Sequence, residues 1–286
     1  FVSARVHPGE TPGQFAALGL LRFFCSDDPR AALLRAHYVL KLVPMLNPDG
    51  VAWGHSRVNS RGHDLNRCYQ EPTPDEHDGI AAVKALLHCW SERKELAAYI
   101  DCHAHAGVRG CFLYGNPRED GFLWNVAYAH LVQLNCPHLD IDKCLWSSAP
   151  KQESGRAEVG GTFGLANAYT LECNYNAGRL ARPVPEPPGL GRAAAWTQEI
   201  RGPRMGSSRF APVPYDPCAW AAVGEALAVA VLDLHSANPH SRLLSAKPPK
   251  LVSASGNERA HGSDVLGALH QAWQDLAARH KAAAGK

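Results

Sequence analysis

Three features are scarce in this chain, and each scarcity excludes something. Net charge is one: the formal value of +2 at neutral pH is too small to make nucleic acid the main partner. It still permits a local basic pocket for an acidic substrate. Long apolar runs are another, since the longest, Ala226–Leu234, falls far short of the roughly 20 residues needed to span a bilayer. No signal-peptide pattern opens the chain, and no internal repeat runs through it. Paired cysteines are the third. The nine cysteines are odd in number and scattered, with no CxxC or CxxxC spacing, which argues against a disulfide framework. They predict reduced, buried thiols in a cytosolic protein.

What remains is ordinary for a soluble globular enzyme: 45% apolar and 20% charged residues, on a chain of 286 residues that suits one full α/β domain. Phe1–Val6 reads as a short buried strand, followed by the tight HPGETP segment and a helix on which Ala17, Leu18, Leu21, Phe24 and Cys25 recur at helical spacing. A short helix to Leu34, a strand at 38–44 and an Asn47-Pro48-Asp49-Gly50 turn come next. Helices are predicted at 80–94, 122–134 and 217–235, and strands at 96–102, 111–114 and 168–173. This alternation predicts an α/β fold with a mainly parallel mixed sheet flanked by helices. Residues 182–217, crowded with Pro, Gly and Arg, read as a long loop of a catalytic domain covering 1–238. Residues 239–286 read as a polar linker and one more amphipathic helix.

Candidate chemistry gathers where strands end. His7 and Glu10 stand three apart in a turn after the first strand, and His103 follows another predicted strand, with His105 two positions on. Ligands of wound sheets collect at carboxyl ends of strands. Two His and one Glu form a suitable set for one catalytic Zn²⁺ with an open position. Each fragment is weak alone, because most HxxE pairs are a surface His beside a solvated Glu. Joint placement tips the balance slightly towards a metal. A sheet rarely opens with its metal-bearing strand, so further strands are expected upstream of Phe1. Arg57, Asn66 and Arg67 lie in GHSRVNSRGHDLNR, where a guanidinium could bind a carboxylate bidentately, although on composition alone surface arginines in a polar loop are the better account. Glu172 interrupts an apolar strand, where a carboxylate is costly without a purpose such as proton transfer. A structural salt bridge explains it equally well at this stage.

Together the stretches ARVHPGETP, VPMLNPDGV, SRGHDLNRCY, YIDCHAHA and YTLECNY resemble the M14 metallocarboxypeptidases, and among them the cytosolic carboxypeptidases. HAHA followed by RGCFLYGN is similar to the type-five branch, whose members remove branch-point glutamates from polyglutamylated tubulin. The resemblance implies His7, Glu10 and His103 as zinc ligands and Glu172 as general base and acid. It makes Arg57 the oxyanion donor, and Asn66 and Arg67 the clamp on the substrate's α-carboxylate. It further implies a cytoplasmic enzyme, associated with the cytoskeleton, that acts on glutamylated tubulin tails or other polyglutamylated proteins, without nucleic-acid or membrane partners. A cation for the leaving glutamate side chain is expected at Arg156, with Lys151 a weaker candidate; a solvent-exposed loop arginine is the competing account of Arg156. Relatives usually carry a tyrosine where this chain has Gly160, in VGGTFG, and an N-terminal β-sandwich domain that is expected to precede this segment. Two other functions fit parts of the pattern: an aspartoacylase-like zinc amidohydrolase, and a catalytically weak microtubule-binding relative.

Overall fold

The computed structural model describes residues 1–117, 122–146, 153–180, 184–190, 212–244 and 263–284. Its centre is a six-stranded sheet in the order β2 (Leu42–Val43), β1 (Val2–Ala4), β3 (Tyr99–His105), β6 (Ala168–Asn174), β4 (Cys111–Gly115), β5 (Leu145–Trp146). All neighbours pair in parallel except β4, which runs antiparallel to β6. The expected mixed, mainly parallel sheet is therefore present.

Alternation along the two central strands sorts their residues by face. Ile100, Cys102, Tyr169, Leu171 and Cys173 enter the larger core, under α1 (Thr11–Phe24), α5 (Phe122–Asn135) and α7 (Pro217–Leu234). Tyr99 and Ala168 enter a second core with Ile80, Val83 and Leu87 of α4 (Asp78–Glu92) and Val159 of α6 (Gly155–Gly161). Asp101, His103, Thr170 and Glu172 share that second face, towards the carboxyl ends of their strands. Polar groups thus converge where one core gives way to a cavity.

Helix α1 holds its position by close approach. Pro12 sits in its first turn, where a missing N–H costs nothing. Gly224 of α7 faces the Ala16 carbonyl so closely that a Cβ there would lie 1.8 Å from the oxygen. Helix α7 is apolar on nearly every side, and by length and composition it could cross a membrane. However, 72% of its apolar window is buried by the rest of the fold, as befits a core helix. Its bounds agree with the helix expected at 217–235 to within a residue, and its apolar character extends beyond the uninterrupted run Ala226–Leu234.

Other boundaries shift for physical reasons. The strand expected at 38–44 shrinks to Leu42–Val43, half-buried on the β2 edge, with Val39 88% exposed. β3 runs on to His105, so the HAH motif lies within the strand. The Asn47 turn opens a short helix, α3 (Pro48–Ala52), capped by the Asn47 side chain. Within the expected loop, β8 (Val213–Pro214) pairs antiparallel with β7 (Ala177–Gly178). The final helix, α8 (Ser263–Ala284), sends Trp273 and Leu276 into the larger core, and its buried His280 places Nε2 2.7 Å from the Asp233 carbonyl and Nδ1 3.2 Å from that of Asn238. All nine cysteines are free; five are buried, but Cys25, Cys89 and Cys218 are exposed.

Candidate metal centre and active site

The chain leaves β1 through Arg5, a non-glycine residue at φ 57°, a conformation that needs support from its surroundings. Support comes from the Asn47 N–H, which donates to the Arg5 carbonyl at 3.1 Å, and from the Arg5 guanidinium donating to Gln14. The Asn47 side chain also donates to the Val6 carbonyl at 3.2 Å. The NPDG segment therefore braces the turn that presents His7. Three residues later Glu10 stands at the N-cap of α1 and accepts the Ala104 N–H at 3.0 Å. That bond fixes the carboxylate against β3, beside His103.

The ligand atoms of His7, Glu10 and His103 all lie within 4.8 Å of one another. His7 Nδ1 is 2.8 Å from Glu10 Oε1, and His103 Nδ1 is 2.9 Å from Glu10 Oε2. Each imidazole is backed by a second carboxylate: His7 Nε2 lies 3.0 Å from Asp64 Oδ1, and His103 Nε2 lies 2.7 Å from Asp101 Oδ2. Asp101 is itself fixed by the Ser3 hydroxyl at 2.8 Å. With the Nε2 protons turned to Asp64 and Asp101, both Nδ1 lone pairs face the Glu10 oxygens, acceptor against acceptor. Only positive charge at the centre resolves that arrangement. A divalent cation does so without protonating the imidazoles, and carboxylate-backed His is the arrangement that orients ligands of zinc. The donor set fits Zn²⁺.

Electrostatics agree in direction. Burial alone would raise the Glu10 carboxyl, but hydrogen bonds and charge from His103 and His7 hold it well below the carboxylate range. Burial would likewise lower His103, yet the Asp101 and Glu10 carboxylates push it well above an ordinary imidazole. Asp64 is kept low, against its burial, by His7 and Arg57. In each case the opposite charge beside the group outweighs its burial.

The register of β3 with β6 pairs His103 with Glu172, so a ligand and a buried carboxylate stand side by side on one face. A cavity of about 320 Å³ opens there. His7, Glu10, His103, Arg57, Asn66, Arg156 and Glu172 all line it. Among the described residues Arg67 is the one expected site residue that does not: its guanidinium folds back onto the Asn66 carbonyl at 2.6 Å. Arg57 is half-exposed and ion-paired to Asp64 at 2.7 Å, and the Asn66 side chain accepts the Gly155 N–H at 3.1 Å. His105, the second His of the HAH motif, accepts the amides of Gly107 and Val108 and closes a turn.

Arg156 lies on α6 and is buried, 7% exposed, so it is not a solvent-exposed loop arginine. Its Nη1 donates to the Gly115 carbonyl at 2.7 Å and to Asn116 Oδ1 at 2.5 Å. Both acceptors are neutral, and desolvation lowers its pKa. Among the described residues no carboxylate forms an ion pair with it. Lys151 lies outside the described residues. Gly160 packs so tightly that a Cβ would meet Asn116 Nδ2 at 1.9 Å. Phenols are present all the same, because Tyr114 and Tyr175 line the cavity.

Sequence reasoning missed Asp64, Asp101, Tyr114 and Tyr175. The signal for Asp101 was there: a carboxylate inside an apolar strand, two residues before His103 and so on the same face.

The zinc carboxypeptidase family matches residues 1–178 of this chain. A cytosolic carboxypeptidase-like protein 5 from Danio rerio is 32% identical over 93% of this chain and 42% of its own length. A cytosolic carboxypeptidase 6 from Mus musculus is 38% identical over 61% of this chain and 34% of its own. The chain thus spans about two-fifths of the length of the first of these relatives. Among solved structures, a metallo-carboxypeptidase from Burkholderia cenocepacia superposes with a TM-score of 0.60 at 20% identity, covering 82% of this chain and 56% of that one. That likeness speaks for the fold. The sequence match speaks for descent: this chain belongs to the zinc carboxypeptidase family.

Proposed function

We propose that this chain is the catalytic part of a zinc carboxypeptidase that releases glutamate from polyglutamylated proteins, such as tubulin tails, in the cytoplasm. The observation that carries the glutamate preference is Arg156. It is a desolvated guanidinium whose partners among the described residues are neutral, lining the same cavity as Glu172 and the metal-ligand trio. A buried cation of this kind gains most from an incoming carboxylate. An apolar leaving residue would leave it uncompensated. The names of the cytosolic carboxypeptidases support the location.

Zinc, when bound, supplies an electrophile for the scissile carbonyl and acidifies water. The chain's own groups do the rest. Glu172 takes a proton from the attacking water as its oxygen bonds the carbonyl carbon. It then passes that proton to the departing nitrogen, so the amide bond breaks and a neutral amine leaves. Arg57, oriented by Asp64, donates to the carbonyl oxygen as it gains charge, a contribution of roughly 2.7–4 kcal/mol for one such donor. Asn66 holds the α-carboxylate, and Arg67 joins it by swinging off the Asn66 carbonyl. A branch-point glutamate leaves as the same amino acid as a chain-end one. Branch-point preference, the finer expectation, must therefore be read on the acyl side, where a γ-carbonyl replaces an α-carbonyl.

Glu172→Gln tests the reading in the full-length protein. Zinc content should be unchanged while glutamate release from a glutamylated tubulin-tail peptide falls at least ~100-fold, the low end for losing an acid–base group. Release at the wild-type rate by the zinc-loaded variant would overturn the mechanism.

A further inference from the structure

A second group of donors, away from the cavity, has no part in this chemistry. His63, Glu76 and His77 also place one ligand atom each within 4.8 Å of the others. His63 sits in the loop that leads to Asp64, and Glu76 and His77 sit at the start of α4, where His77 is the N-cap. The two ring nitrogens, His63 Nδ1 and His77 Nε2, are 3.1 Å apart and face each other.

The backbone around this group is held independently of it. Asn59 is buried; its Oδ1 accepts the amides of Arg61 and His63 at 3.0 and 2.9 Å, and its Nδ2 donates to the Glu76 carbonyl at 3.2 Å. One side chain thus ties both segments together and fixes the spacing of the donors. In the protein's own network, Thr73 N–H donates to His77 Nδ1 at 3.1 Å, so His77 carries its proton on Nε2 and gives it to His63. Two lone pairs at that separation need a proton or a cation between them.

We propose that His63, Glu76 and His77 form a second Zn²⁺ site that clamps the 59–67 loop to α4. Imidazole and carboxylate are zinc donors, and a pair of nitrogens about 3 Å apart suits two corners of a tetrahedron around an ion with Zn–N near 2.0–2.1 Å. Glu76 supplies the third corner. Because Glu76 is exposed, water completes the fourth. On binding, the His77 proton moves from Nε2 to Nδ1, where Thr73 Oγ1 accepts it at 3.2 Å, and no net proton is lost. Thr73 is exposed, so its N–H passes to solvent. The carboxylate-backed imidazole common to zinc ligands is replaced here by a hydroxyl. The same loop carries Asp64, Asn66 and Arg67, so an ion at this place stiffens the segment expected to clamp the substrate carboxylate.

The experiment is zinc stoichiometry by elemental analysis of the full-length protein after dialysis against a weak chelator, compared across variants. Wild type should hold two zinc ions per chain, and Glu76→Gln and His63→Gln one each. His103→Gln should also hold one, because the second site does not depend on the first. Glu76→Gln changes only an exposed side chain and guards against loss of fold, and an unchanged circular dichroism melt confirms it. One zinc in wild type, still present in Glu76→Gln and absent in His103→Gln, would overturn the second site and leave the first intact. The opposite pattern, zinc kept in His103→Gln and lost in Glu76→Gln, would uphold this site and sink the catalytic one.

Discussion

Among the described residues two imidazoles and a glutamate come together twice, and the surroundings separate the two groups. Around His7, Glu10 and His103 the donors are buried or nearly so, and each imidazole leans on an aspartate. Around His63, Glu76 and His77 the donors are half-exposed or exposed, and the available back-partner is the Thr73 hydroxyl. The first group is braced by hydrogen bonds, rich in carboxylates and open to a cavity; the second bridges a loop to a helix at the surface. Ligand type alone therefore does not define a catalytic centre. Carboxylate backing, burial and a neighbouring base do.

That comparison can be broken by removing the backing. Asp101→Asn keeps the hydrogen bond to His103 Nε2 possible in shape but removes the charge behind it. Zinc affinity of the buried site should drop by about 10–100-fold, measured by competition with a chromogenic chelator. Asp64→Asn should cost less, because Asp64 is 21% exposed and shares its charge with Arg57. If Asp101→Asn left zinc affinity untouched, the contrast between the two groups would lose its basis. Thr73→Val sharpens the other side: the surface site should weaken by about tenfold at most, with no change in the buried one.

Much of this was readable from residues because strand ends concentrate chemistry. His7, Glu10, His103 and Glu172 each follow or interrupt an apolar run, and the sheet brings them together through strand register. Gly13, Gly19 and Gly224 were silent in the sequence, since their role is to let backbones approach, which no periodicity reveals. Asp101 carried the same signal as Glu172, a carboxylate inside an apolar strand. Arg156 could not be placed from its neighbours Glu153 and Ser154, because its burial depends on β4, far away along the chain. Likewise the weak strand at Leu42–Val43 looked longer in sequence, since an edge strand keeps its apolar residues only half covered.

The account rests on a cation held by His7, Glu10 and His103 beside Glu172. Anomalous diffraction at the zinc edge, from crystals of protein purified without added metal, tests that most directly. A peak within about 2.0–2.2 Å of one His7 nitrogen, one His103 nitrogen and a Glu10 oxygen is the expected result. Zinc density elsewhere with none between these three side chains would contradict it.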